Sequence, residues 1–362
     1  MTSTPAAPLG PLPSLDSVPI DSILMVSFGG PEGPEDVMPF LENVLRGKNV
    51  PRERMLEVAE HYNHFGGVSP INQQCRDLIS ALQTELKKRG IDLPIYWGNR
   101  NWHPMLTSTL ETMKQDGRKR AIAFFTSMFS CYSGCRQYRE NIAAAMLQAG
   151  SDAPLVEKTR MGFNHPKFIE AQADCLRSAL SQISPKLRAS TRVLFSAHSI
   201  PKSMADNSRY ELQLREAARL VCETVGHESW EVVYQSRSGP PHQPWLEPDV
   251  CDRIEQLHTD SKIQSVIVQP IGFVSDHMEV LYDLDQEAAD KAKELGIEFV
   301  RAPSVGIHPS FVSMAVDLIE ERLTAGTPRP CVGNLGSSHD ICPVDCCLYP
   351  QPTRPPGAGR PA

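Results

Sequence analysis

The sequence predicts an α/β protein made of two Rossmann-like halves, each a doubly wound, parallel four-stranded sheet. Three observations carry this. Short apolar runs alternate with amphipathic patterns of helical length, which is how βαβ units read. Eight such runs can be placed, four on either side of a boundary near residues 150–190. A chain of 362 residues is long enough for roughly two domains with sizeable cores. The divisions this suggests are a Pro-rich tail over 1–19, a first half over 20–165, a second half over 166–324 and a Cys-containing extension over 325–362.

In order, residues 1–19 lack hydrophobic periodicity and are expected to be disordered. SILMVSF (22–28) is a strand, turned sharply by Gly29-Gly30-Pro31. Pro34-Glu35-Asp36 then opens a helix, with acids in the first turn where the helix dipole favours them. Helical patterns follow around 55–65, the loop GGVSPI spans 66–71, and a strongly amphipathic helix over 72–89 is closed by Gly90. PIYWGN (94–99) is a strand, a helix leads to Gly117, and RAIAFFTS (120–127) is a buried strand. Its exit, MFSCYSGCRQY, opens a helix over 136–148. The chain is strand-like from Gly150 to Met161, and Asn164-His165-Pro166 begins a helix to about Ile183. TRVLFSA (191–197) is a strand with His198 at its end. A helix over 210–225, a strand over 231–235, a polar loop over 236–241 and a helix from about Pro248 lead to the apolar run 265–273. A last strand (298–302) and a last helix (309–323) complete the pattern.

Composition is that of an ordinary soluble globular protein, 41% apolar and 22% charged. A net charge of −7 argues against a nucleic-acid surface or a polybasic membrane attachment. Neither Lys nor Arg precedes Arg46, and no apolar run would span a bilayer, so a cytoplasmic protein is expected. Ten cysteines in a reducing compartment are not expected to form a disulfide framework. Cys75, Cys175, Cys222 and Cys251 sit singly in helical patterns, as small core residues do. Cys131 and Cys135 are close together, and Cys331, Cys342, Cys346 and Cys347 crowd the extension; such clustering points to a metal or cluster site.

Two strand exits carry titratable side chains, and in open α/β sheets ligands bind at the carboxyl ends of strands. SDHMEVLYDLDQE (275–287) follows the 265–273 run. Asp276, His277 and Glu279 stand at the exit, and Glu279, Asp283 and Glu287 recur every four residues along one helical face. Such a set can handle protons or a hard cation; its alternative is a solvated acidic helix. His198 ends a buried strand with no apolar role to play. Placed together, His198 would accept a proton near neutrality with Glu279 as its relay, and the pair would also suit transient Fe2+ or Zn2+. In the extension, Cys342, Cys346 and Cys347, with Cys331 upstream and Cys135 far off, offer four thiolates in several combinations. These suit an iron–sulfur cluster or a structural zinc, and the spacing does not separate the two. Adjacent Cys346 and Cys347 serve one centre only if a tight turn brings them to the same side.

Taken together the motifs resemble the ferrochelatases. FSAHSIP (195–201) and the 275–287 segment are similar to that family's two signature segments. So are SFGGP (27–31), FGGVSPI (65–71), GNRNWHP (98–104) and YQSRSGP (234–240), in the family's order over about 23–323. The resemblance implies a chelatase-like fold whose halves face a porphyrin cleft, and insertion of Fe2+, the substrate metal, into a distorted macrocycle. Carried over by position, His198 is the proton acceptor or metal contact and Glu279 its partner, supported by Asp276 and His277. Asp283 and Glu287 continue an acidic path on a widened, π-type helix. Ser69, Tyr138 and Arg100 match positions near the porphyrin, and Phe28 stands where some soluble members place an iron-reaching tyrosine. Residues 45–64 are short and polar where membrane-associated, protoporphyrin-using members have an apolar lip. That favours coproporphyrin III over protoporphyrin IX, and a monomer without membrane insertion, with downstream haem-pathway enzymes as partners. A subset of the family carries a [2Fe–2S] cluster on one internal and three C-terminal cysteines. Here the resemblance implies Cys135, Cys342, Cys346 and Cys347, with Cys331 in reserve, and a structural or redox-sensing role. A chelatase for cobalt or nickel and a non-catalytic porphyrin carrier or sensor remain alternatives.

Overall fold

The computed structural model describes residues 18–47, 50–240 and 242–350. The disorder expected over 1–19 therefore lies almost wholly outside the described residues.

In the first half, β1 (Ser22–Ser27), β2 (Ile95–Asn99), β3 (Arg120–Phe125) and β4 (Leu155–Lys158) form a parallel sheet in the order β2-β1-β3-β4. In the second half, β5 (Arg192–His198), β6 (Trp230–Gln235), β7 (Ser265–Gln269) and β8 (Glu298–Arg301) repeat that order as β6-β5-β7-β8, again all parallel. The two-sheet α/β architecture predicted from the alternating pattern is the one observed.

Helices cover both faces of each sheet, which is why the central strands are apolar on both sides. The first half carries α1 (Pro34–Val44), α2 (Arg52–His64), α3 (Ile71–Lys88), α4 (Leu106–Gln115), a π-helical turn (Tyr132–Arg136) and α5 (Gln137–Ala149). Then come α6 (Pro166–Gln182), α7 (Lys202–Asp206), α8 (Tyr210–Val225) and α9 (Val250–Ser261). A single helical turn, α10 (Met278–Val280), leads into a π-helix (Leu281–Ala288) and α11 (Ala289–Glu294), and α12 (Pro309–Leu323) ends the fold.

Side-chain alternation along the strands sorts residues into layers. Ile23 and Met25 of β1 and Val193 and Phe195 of β5 point into one central core shared by both sheets, filled by α3, α6, α8 and α12. Leu24 and Val26 point the other way, against α4 and α5. Leu194 points outward in the second half, to α9, the π-helix and α11. The last helix thus returns to the shared core rather than capping its own sheet. No helix among the described residues is long and apolar enough to cross a membrane.

Two expectations need correction. The run 265–273 is a strand only to Gln269, because Pro270 has no N–H to continue the ladder; Ile271 instead donates to the Gln269 carbonyl at 2.8 Å. The extension does not leave the fold as its composition suggests. Over 325–350 it runs without strand or helix but lies docked, with Val332 and Leu335 against the shared core. The buried Arg160 side chain pairs with Glu321 at 2.7 Å and donates to the Pro330 carbonyl at 2.8 Å. Asn164 accepts from Val332 through its carbonyl and donates to Gly336 through its side chain, at 2.9 and 2.8 Å.

Candidate functional site

His198 is the last residue of β5, and three bonds hold the backbone around it. Ser199 N–H donates to the Gln235 carbonyl, Ser199 Oγ to the Leu246 carbonyl and Tyr210 Oη to the His198 carbonyl, at 2.8, 2.8 and 3.1 Å. The imidazole Nδ1 bonds the Ser199 carbonyl, which fixes the ring and leaves Nε2 as the free nitrogen of the neutral form. Nε2 lies 3.6 Å from Glu279 Oε2, and His277 Nδ1 lies 4.0 Å from that same oxygen. One carboxylate oxygen thus stands between two imidazoles. The His198 side chain is 33% exposed and that of Glu279 47%, so the pair opens to solvent.

The local sequence explains the placement of Glu279. His277 is extended, Met278 is buried, and Val280, Leu284 and Ala288 are buried in the outer core of the second half. This leaves Glu279, Asp283 and Glu287 on the uncovered side of a helix widened to π geometry. Asp283 accepts from Gln235 at 3.2 Å and from Ser236 Oγ. Ser236 itself has φ +61°, the left-handed region that a non-glycine residue rarely holds, here in the loop that delivers its hydroxyl.

The titrations of these groups are pushed apart. Burial alone would lower His198, but the charge and hydrogen bond of Glu279 overcome it and raise the imidazole to about 8. Burial lowers His277, and the nearby His198 charge adds to that against Glu279 and Asp276. Asp283 is raised to about 7 by burial, with Glu279 and Glu287 adding to it against the Ser236 and Gln235 bonds. Glu287 is raised by burial and by Asp249. Groups with opposed shifts in one site are the usual mark of proton handling.

Asp276 is otherwise engaged. Both its oxygens meet Arg301 at 3.2 Å, Ser304 Oγ bonds it, and its N–H donates to Gln74 Oε1 of α3 at 2.8 Å. The geometry makes Asp276 an anchor for the loop that carries His277.

The first-half residues form an adjoining aromatic group. Phe28 is 37% exposed and meets Phe40 edge-on at 6.3 Å, and Phe40 meets Tyr62 at 5.8 Å. Arg100 lies 4.4 Å over the Tyr138 ring and 5.7 Å from that of Phe28. Ser69 and Tyr138 are buried. Tyr62 is raised above the usual phenol range by burial and by Glu279, which brings α2 to the His198 site. His61 of α2 also stacks on Tyr282 of the π-helix, with centroids 3.7 Å apart. Sequence reasoning missed Tyr62, His61, Ser236 and Arg301. Only Ser236 had a signal, its place in YQSRSGP.

The cysteines of the extension meet the π-helical turn of the first half. The Cys135 thiol neighbours that of Cys342, Cys342 neighbours Cys346, and Cys346 Sγ lies 3.6 Å from Cys347 Sγ. Cys347 has φ +54°, and this left-handed residue supplies the tight turn that adjacent cysteines need. Cys135 and Cys347 are 2% and 5% exposed, whereas Cys331 is exposed. Arg136 fixes the loop by donating to the Val344 and Cys346 carbonyls at 2.7 and 3.1 Å. The neighbouring Cys135 and Cys346 thiols hold Cys342 below the ordinary thiol range against the effect of burial, with Lys158 and Arg139 adding to them. Four sulfurs in one chain of neighbours, with Lys158 and Arg139 beside them, fit a thiolate-ligated metal group.

A family profile described as Ferrochelatase matches residues 21–323. The chain belongs to the ferrochelatase family. A "Ferrochelatase" of Rhodopirellula baltica is 64% identical over 341 residues, covering 94% of this chain and 97% of the relative. A "Coproporphyrin III ferrochelatase" of Streptomyces coelicolor is 48% identical, covering 95% and 97%. Among solved structures, SirB from Bacillus subtilis with Fe3+ aligns with a TM-score of 0.54 over 83% of this chain and 95% of SirB, at 11% identity, a likeness of fold alone. The ferrochelatase match ends at residue 323, so the cysteine-bearing extension lies beyond it.

Proposed function

We propose that this chain inserts Fe2+ into coproporphyrin III to give the iron porphyrin. The observation that carries the reading is Glu279 Oε2 lying between His198 Nε2 and His277 Nδ1, in a chain of the ferrochelatase family. Insertion replaces two pyrrole N–H protons by the metal, so the site must remove two protons as Fe2+ takes the nitrogen lone pairs. Neutral His198, whose Nδ1 is committed to the Ser199 carbonyl, presents Nε2 as the acceptor. Once protonated, Nε2–H faces Glu279. Asp283, raised to about 7, and Glu287 continue the path to solvent. The donor atoms of this site do not close into a tight metal-sized group. Among the described residues only His339, Cys342 and Cys346 bring three such atoms within 4.8 Å of one another. That suits a substrate metal, which must leave.

Coproporphyrin is favoured by the names of relatives at 47–48% identity in Streptomyces and by the character of α2, whose residues are mostly polar and exposed. A wet, polar rim suits a porphyrin with four carboxylates. In the extension we assign Cys135, Cys342, Cys346 and Cys347 to a [2Fe–2S] cluster. When bound, it would supply a covalent clasp between the extension and the first half and a one-electron redox centre.

The test is anaerobic incubation of the protein with Fe2+ and either porphyrin. Coproporphyrin III should be metallated faster, and His198→Ala should bind it without turnover. Faster metallation of protoporphyrin IX would overturn the substrate assignment. Tight binding of both with metallation of neither would overturn the enzymatic reading in favour of a carrier.

A further inference from the structure

The four-sulfur set does not use every soft donor in the extension. His339 Nε2 lies 3.6 Å from Cys346 Sγ, and His339, Cys342 and Cys346 each place one donor atom within 4.8 Å of the others. Core packing does not account for this imidazole, since His339 is exposed and lies in a stretch without regular structure. Its backbone is nevertheless held on both sides. Arg329 donates to the Ser338 carbonyl at 2.6 Å and pairs with Asp340 at 3.2 Å, and Arg322 of α12 pairs with Asp340 at 3.5 Å. Arg136 holds the carbonyls of Val344 and Cys346. The loop carrying the three donors is therefore shaped by ion pairs and carbonyl contacts that do not pass through the Cys135 sulfur.

We propose that His339, Cys342 and Cys346 form a mononuclear site for a borderline-soft divalent ion of the Zn2+ class, with an open fourth position. The spacing fits one ion. Zn–S distances of about 2.3 Å and Zn–N distances of about 2.0–2.1 Å at tetrahedral angles put donor atoms about 3.5–3.8 Å apart. The His339–Cys346 separation of 3.6 Å falls in that range. Binding requires both sulfurs as thiolates, so any thiol proton is released as the ion enters. Because Cys342 and Cys346 also belong to the four-sulfur set, the two sites fill in alternation. The extension then has two metal states, one clasped to the first half through Cys135 and one closed on itself through His339. The mononuclear site stands whether or not the four-sulfur set holds a cluster.

The experiment is an anaerobic titration of the full-length, iron-free protein with Co2+ as the spectroscopic stand-in for Zn2+. Thiolate-to-cobalt charge transfer in the near ultraviolet separates this site from His198 and Glu279, which carry no sulfur. The expected result is one Co2+ per chain with charge-transfer and intense tetrahedral d–d bands, bleached by Zn2+. The bands should persist in Cys135→Ser and in His198→Ala. Replacing an outer-sphere partner of a metal ligand already costs 10–100-fold in affinity, so His339→Ala should weaken Co2+ by at least about tenfold. His339 is exposed, so that variant is expected to fold, and after reconstitution it should keep the visible absorbance of a cluster. Bands that vanish in Cys135→Ser, or wild-type affinity in His339→Ala, would overturn the proposal. Loss of cluster absorbance in His339→Ala would also overturn it, by making His339 a ligand of the cluster itself.

Discussion

Replacing Glu279 with glutamine removes the charge that faces His198 while keeping the size of the side chain. In the wild-type protein burial pulls His198 down, but Glu279 more than offsets it and the imidazole reaches about 8. Without that charge burial acts against the Ser199 carbonyl and Asp283 alone, so the midpoint should return toward the reference value of ~6.5. A midpoint of 8 leaves about one imidazole in ten neutral at pH 7, and a midpoint of 6.5 leaves about three in four. Solvent reaches both side chains and screens the pair, so a fall of about one pH unit is the expected size. The assay is an NMR titration of imidazole Cε1–H signals in porphyrin-free protein, with His198→Ala identifying the resonance. The linkage has a matching sign. A folded midpoint above the unfolded one stabilises the protein below pH ~6.5, and that stabilisation is lost as pH rises through 8. Glu279→Gln should flatten this loss. A wild-type midpoint at or below 6.5, or one that stays put in Glu279→Gln, would refute the coupling of the two residues. Turnover in the same variant should fall by about 10²-fold or more as the relay is lost, with porphyrin binding nearly unchanged.

Three further outcomes are expected. Asp283→Asn keeps an acceptor for Ser236 and Gln235 but removes a carboxylate raised from 3.8 to about 7. The wild-type fold therefore loses stability as pH rises from about 4 to 7, and the variant should be more stable by about 1–3 kcal/mol at pH 8, with the advantage fading toward pH 4 in urea titrations. If the extension holds the proposed cluster, Cys135→Ser should lose its visible absorbance and expose residues 325–350 to proteolysis; retention of both absorbance and resistance would end that ligand assignment. Arg160→Met leaves the Glu321 carboxylate buried with only Arg329 3.8 Å away, and should cost about 3–5 kcal/mol. The double variant Arg160→Met/Glu321→Leu should recover most of that in the same urea measurement.

What could be read from the chain beforehand follows the range of the interactions involved. The eight strands were legible because a parallel sheet covered on both faces makes each strand a short apolar run with helical punctuation. Which face of β1 meets which core was not, because Ile23 and Leu24 are equally apolar and only tertiary packing separates them. His198 and Glu279 stood out because each follows a strand that ends abruptly. That one oxygen of Glu279 faces two imidazoles depends on the width of a π-helix and on how the loop after β7 is anchored by Arg301 and Ser304. Those are contacts 25 and 28 residues away in sequence. Tyr62 carried no local mark, since its relation to Glu279 arises from α2 folding over from the other half.

The extension shows a different limit of the same kind. Pro- and Gly-rich sequence with little apolar content reads as chain that has left the fold, because such sequence cannot bury enough apolar surface to offset the entropy of ordering it. Here the order comes from the receiving side. Arg160, Asn164 and Arg136 all belong to the first half, and they bind backbone groups of residues 330, 332, 336, 344 and 346. Carbonyls captured by guanidinium groups need no particular residue in the captured chain, so no hydrophobic period records them. The side chains the extension supplies at fixed positions are few: Val332 and Leu335 against the shared core, Tyr349 against Tyr132, the Arg329–Asp340 pair, and its clustered thiols with the imidazole at 339. A segment whose backbone is held by residues outside it leaves little record of its docking in its own composition.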